Sequence, residues 1–134
     1  MSSIRSFREL KVWQRAMDAA MDVFGRTREF PSQERYSLTD QVRRSSRSVP
    51  ANISEAWRKR RYPAAFVSKL NDAEAEAAET QTHVEIALRC GYLSADNAKA
   101  LDDCYEEILS MLVVTFPRSS SAVSVSMAAC SSAK

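Results

Sequence analysis

Gln41-Val42-Arg43-Arg44-Ser45-Ser46-Arg47-Ser48-Val49-Pro50-Ala51-Asn52-Ile53-Ser54-Glu55-Ala56-Trp57-Arg58-Lys59-Arg60-Arg61 decides both how this chain folds and where its charge lies. At about 100° per residue, Leu38, Val42, Val49, Ile53 and Ala56 fall within a wedge of roughly 60°. That is the apolar stripe of a helix laid against a core. Arg43, Arg47, Arg58 and Arg61 fall in a similar wedge on the far side. Arg60 projects onto the apolar side, so the regular helix is expected to end near Trp57. Pro50 lacks an amide hydrogen and its ring crowds the preceding turn, so a kink is expected there. Ser45, Ser46 and Ser48 are small enough for a neighbour to approach closely and can bond nearby backbone carbonyls. Asn52 is read as local bonding of the same kind.

Working outward, Leu10, Trp13, Met17, Ala20 and Phe24 step by three and four, which predicts a first amphipathic helix from about Phe7 to Arg28. Phe30-Pro31 breaks the pattern, and Ser32 is the expected N-cap of the second helix. Arg58 to Pro63 reads as a basic connector, because Pro63 pushes Tyr62 out of helical geometry and suits the first turn of a third helix. There Phe66, Leu70, Ala73, Ala77, Thr80, Val84 and Ala87 form a narrow, alanine-rich seam that permits close packing. Gly91 is the expected residue just beyond the end of this helix. Ser94 caps a fourth helix whose stripe is Leu101, Tyr105, Ile108 and Leu112 and which Pro117 stops. The expected fold is therefore all-α, an antiparallel up-and-down four-helix bundle with a Pro-kinked second helix. It spans residues 1–117, and the Ser, Ala and Val-rich residues 118–134 are expected to form a disordered tail.

The chain has 134 residues, 45% of them hydrophobic and 27% charged, with two glycines. This is one domain of helical composition. There is no apolar leader and no run of 18 apolar residues, so a cytoplasmic protein without a membrane partner is expected. Cys90, Cys104 and Cys130 lack the spacing of a zinc or redox site. The formal net charge of +2 hides a polarity. Residues 1–62 carry 14 Lys or Arg against 7 acids, and residues 63–116 carry 3 against 10. Either basic helices pair with acidic ones within the bundle or between subunits, or the basic half offers a surface to a polyanion.

Catalysis finds no support. A di-iron bundle needs paired Glu-x-x-His motifs, and this chain has one histidine, His83, four residues after Glu79. His83 is read as a residue of a polar helix surface or edge. No phosphate-binding glycine loop, Ser-His-Asp set or Cys-His pair is present, so no enzyme activity, metal or cofactor is expected.

Several strings together carry a resemblance: Phe7 to Ala16, Phe30-Pro31, Glu34 to Ser45, Ser48-Val49-Pro50-Ala51-Asn52-Ile53-Ser54-Glu55, and Gly91-Tyr92-Leu93. They resemble the four-helix-bundle proteins encoded within intervening sequences of bacterial 23S ribosomal RNA genes. The accessory protein of diversity-generating retroelements, which partners a reverse transcriptase, belongs to the same group. The resemblance covers about residues 7–116. It implies a four-helix bundle, commonly a ring-shaped homopentamer, with a basic surface for nucleic acid in the retroelement member. This chain departs from that pattern at Glu55-Ala56-Trp57-Arg58-Lys59-Arg60-Arg61, where relatives usually have glycines around an aromatic residue. It departs again at Ala75-Glu76, where relatives have Gly-Ser.

The expected function is non-catalytic nucleic-acid binding, RNA or DNA, by a homo-oligomer through Arg43, Arg44, Arg47, Arg58, Lys59, Arg60 and Arg61. Each cation that neutralises a phosphate releases a counterion, so such a surface binds without reading bases. Trp57 and Tyr62 flank the cluster, as packing anchors or as stacking partners. Arg43 either joins the surface or binds a carboxylate such as Glu55 or an acid of the third helix. The alternative is a structural adaptor whose partner is a protein.

Overall fold

A computed structural model describes residues 3–116 of the chain, and among these the regular structure is helical throughout. Four α-helices follow one another: α1 (Lys11–Thr27), α2 (Leu38–Arg58), α3 (Pro63–Arg89) and α4 (Ala95–Thr115). α2 packs on α1 and α3, and α4 packs on α3 and α1. Cross-helix contacts join the start of one helix to the end of the next. Trp13 meets Ser54 and Thr27 meets Arg43 between α1 and α2; Glu55 meets Lys69 and Ser45 meets Thr80 between α2 and α3. The expected tail at 118–134, Cys130 and the stop at Pro117 lie outside the described residues.

Tyr105, Ile53, Leu70, Leu101, Ile108 and Leu112 are the largest fully buried side chains, and they come from α2, α3 and α4. α1 contributes small ones. Its buried residues are Val12, Ala16, Ala19, Ala20, Val23 and Thr27, whereas Met17 is exposed and Trp13 and Phe24 are half-buried. Of the stripe read from the sequence, Leu10 and Ala20 are buried, while Trp13, Met17 and Phe24 lie on the flank of α1. α1 fits against both neighbours by turning its smallest side chains inward. Trp13 instead packs edge-on against Phe7 at 5.3 Å, and its indole N–H donates to Ser54 Oγ at 2.9 Å.

α2 continues through Pro50, which is buried in the core. The hydroxyls of Ser45, Ser46 and Ser48 donate to the carbonyls of Val42, Arg43 and Arg44, and Asn52 Nδ2 donates to that of Ser48. None of these bonds reaches the Ser46 carbonyl, the one that Pro50 leaves without its usual helical donor. Ser54 Oγ donates to the Pro50 carbonyl at 2.9 Å while accepting from Trp13. The polar residues of the Pro-Ala-Asn-Ile-Ser string are therefore engaged inside the fold.

Two boundaries differ from expectation. Phe7–Glu9 is a separate 3-10 turn with a Ser6–Glu9 capping box, and α1 begins only at Lys11. Ser32 does not cap α2, since Ser32–Glu34 forms another 3-10 turn and the N-cap is Ser37. Glu34 organises this entry by accepting from Ser37 Oγ at 2.6 Å and from the Leu38 amide at 3.3 Å. α2 ends at Arg58.

The far end of α3 follows the sequence reading. Gly91 adopts φ 81°, its amide donates to the Leu88 carbonyl, and the Tyr92 amide donates to that of Ala87. This reciprocal pair closes the last turn of a helix. Ser94 Oγ then accepts from the Asn97 amide and starts α4. His83, expected at a polar edge, is instead buried at 9% exposure. It lies one turn beyond Thr80 and beside Val84, on a face of α3 wider than the seven-residue seam. Neither ring nitrogen has a hydrogen-bond partner, and Glu79 stands 3.5 Å away.

Candidate nucleic-acid interface

α2 carries its arginines on the face opposite Val42, Val49 and Ile53, as the helical repeat requires. Their environments differ. Arg43 is half-buried: its Nε donates to Thr27 Oγ1 at 2.8 Å and its guanidinium lies 4.8 Å above the centre of the Phe24 ring. This cation ties α2 to α1, and Glu55 is engaged by Lys69 instead. Arg44 points outward, with a loose contact of 3.7 Å to Asp40 one turn earlier. Arg47 is exposed and pairs with no carboxylate among the described residues.

The second group sits where α2 passes into α3. Arg58 ends the helix, Lys59 is its C-cap, and Arg60 and Arg61 form the turn before Pro63. All four side chains are exposed, and none pairs with an acid among the described residues. Cations at this end are favoured by the helix dipole. Arg60 also satisfies a terminal carbonyl, donating from Nη1 to Trp57 O at 2.9 Å, and its guanidinium sits 4.0 Å from the centre of the Trp57 ring. Arg60 lies past the end of α2 and stays exposed, in keeping with a helix that stops near Trp57. Arg47 and Arg58 are eleven residues apart, so the two groups are separated by roughly 16 Å along one helix face.

Glu55, the acid nearest the corner in sequence, is engaged elsewhere. Glu55 pairs with Lys69 of α3 at 3.0 Å, and that contact pushes the Lys69 ammonium above its ordinary range. Glu107 of α4 pairs with Arg15 of α1 at 2.9 Å. On α3, burial and the neighbouring Glu79 raise the Glu76 carboxyl. The acidic half of the chain therefore keeps its own crowded surface, and the described cross-helix ion pairs take none of the seven candidate cations. Two features escaped the sequence reading: the inward turn of Arg43 and the Trp57–Arg60 stack. The three-residue spacing of Trp57 and Arg60 was the available signal for the stack.

Nothing in this region gathers reactive groups. Among the described residues, no three His, Cys, Asp or Glu side chains are placed to hold a metal ion. Cys104 is partly buried on α4, and burial raises its thiol. A concavity of about 530 Å³ opens at the other helix pair between Leu10, Lys11, Glu107, Met111 and Val114. No described helix is long and apolar enough to cross a membrane.

A family model described as 23S rRNA-intervening sequence protein matches residues 8–114. The chain belongs to this family. Among solved structures, it is similar to a protein of unknown function from the S23 ribosomal protein family of Bacteroides thetaiotaomicron. The two share 27% identity and a TM-score of 0.70, over 78% of this chain and 93% of that one. Among curated proteins nothing matches. Within the 23S rRNA-intervening sequence family, this member carries a run of four exposed cations, Arg58 to Arg61, where α2 passes into α3.

Proposed function

We propose that this protein binds nucleic acid without sequence preference, as a homo-oligomer, through Arg44, Arg47 and the Arg58–Arg61 corner. The observation that carries the reading is the corner itself: four consecutive exposed cations with no carboxylate against them among the described residues. Arginine suits phosphate because its planar fork donates two parallel bonds. The family's name, which refers to 23S rRNA, is consistent with such a ligand. Met21, Val113 and Val114 are exposed apolar residues of α1 and α4, and they support contact between copies. Repetition of the corner around a ring multiplies the phosphate contacts. The role is binding, with no catalytic step.

The alternative, an adaptor for a protein partner, draws on the same exposed apolar residues. Fluorescence anisotropy with a labelled oligonucleotide, over a salt series, separates the two. Phosphate binding weakens linearly in log–log form with salt. No binding at low salt overturns the proposal and leaves the adaptor. Mass measurement in solution tests the oligomer, and a monomer at working concentration removes that part.

A further inference from the structure

The α2–α3 corner holds flat π surfaces as well as charge. Arg60 is fixed at two points by one residue, Trp57, through the ring contact at 4.0 Å and the carbonyl bond at 2.9 Å. One side of its guanidinium is thereby covered by indole, and the residue remains exposed to solvent. Two positions on, Tyr62 is 66% exposed and makes no ring contact among the described residues. Its backbone is held by the amide bond to the Lys59 carbonyl at 2.8 Å and by Pro63, the first residue of α3. Arg58, Lys59 and Arg61 stand beside these groups, and the nearest acid in sequence, Glu55, is occupied by Lys69.

Charge alone would serve a duplex as well as a single strand. A preorganised guanidinium on indole and an open phenol ring do something more, because a flat cation or aromatic ring offers a stacking face to a base. In a duplex those base faces are already covered by their neighbours, whereas unpaired bases are free to stack on protein. Resting on the nucleic-acid reading above, we infer that this corner stacks unpaired nucleobases on Arg60 and Tyr62, so that the ligand is a single-stranded polynucleotide. Arg58, Lys59 and Arg61 hold the flanking phosphates. Trp57 acts from beneath, as the residue that positions Arg60.

The test compares oligonucleotides of one length and label: single-stranded RNA, single-stranded DNA, a duplex, and an abasic strand that keeps the phosphates but lacks bases. A single strand should bind at least about tenfold more tightly than duplex or abasic strand. Whichever of RNA and DNA shows this is the source. Arg60→Lys keeps the charge and removes the plane; Tyr62→Leu removes the ring. Each should weaken single-strand binding by roughly 5- to 100-fold and leave duplex and abasic binding unchanged, as loss of one stacked base predicts. Both side chains are exposed, and circular dichroism checks that the helices persist. Equal binding of all four ligands, or unchanged single-strand affinity in both variants, overturns the stacking inference while nucleic-acid binding stands. Binding of none of the four overturns both.

Discussion

The Tyr92 hydroxyl donates to Glu34 Oε2 at 2.9 Å and fastens the α1–α2 connection to the α3–α4 connection at one end of the bundle. The same carboxylate takes Ser37 Oγ and the Leu38 amide, so one side chain serves as helix cap and interloop clasp. Phe30 supports the clasp, its ring 5.5 Å from that of Tyr92.

These bonds set a pH dependence. Hydrogen bonds from Ser37 and then Tyr92 hold the Glu34 carboxyl below its ordinary range, and the bond to Glu34 raises the Tyr92 hydroxyl. For a carboxylate whose folded pKa is lowered, the stabilisation is present above the unfolded value and is lost as pH falls through the folded one. The Tyr92 contribution has the opposite sense, being complete below the unfolded value near about pH 10 and lost above it. Thermal melts should therefore fall on acidification from about pH 6 to about pH 3. Glu34→Gln should flatten that fall in part, and a wild-type acid slope in the variant would rule out this assignment.

The chain's two glycines predict substitutions of opposite sign. Gly91 sits at φ 81° with open space where a Cβ would project, so Gly91→Ala costs only the left-handed backbone, about 1 kcal/mol. Gly25 lies within α1, also with open space around it, and Gly25→Ala should stabilise by about 0.5–1 kcal/mol. Urea unfolding measures both. Equal shifts would mean that the α3 end is not the closed turn described.

Ala73 and Ala77 are fully buried on α3, and α2 sets Ser45 against Thr80, whose hydroxyls meet at 2.8 Å. Small residues on both sides allow this approach. Ala77→Leu should cost about 1–3 kcal/mol or more through overpacking, read as a lower denaturation midpoint with an unchanged m-value. A stabilised variant would place a cavity where the structure has contact.

Much of this architecture was legible in residue spacing. The stripes of α2, α3 and α4, the Gly91 turn and the Ser94 cap were read residue by residue, because each depends on local chemistry repeated at helical period. α1 was misread because hydrophobic size was weighted over fit, and the interior there takes alanine and valine while Met17 goes outside. His83 was misread for a related reason, since the width of a buried face depends on how many neighbours a helix has. In the candidate interface, charge was legible and its allocation was not. Whether a guanidinium folds onto Phe24, onto Trp57 or into solvent depends on partners distant in sequence or across a turn.

That allocation yields the last prediction, a division of labour between Arg43 and Arg47, one helical turn apart. Arg43 donates to Thr27 and covers Phe24, so Arg43→Ala strips a charge-assisted bond and a cation–π contact and should destabilise by about 1 kcal/mol. Its effect on nucleic-acid affinity at temperatures well below unfolding should be small. Arg47 is exposed without a carboxylate partner among the described residues, so Arg47→Ala should leave stability within about 0.5 kcal/mol. It should lower affinity for every sequence alike and reduce the salt slope by about 1 if it holds one phosphate. Chemical denaturation and anisotropy on the same two variants give the four numbers required. Should Arg43→Ala lose the salt slope and Arg47→Ala lose stability, the outward face of α2 would have been assigned the wrong way round.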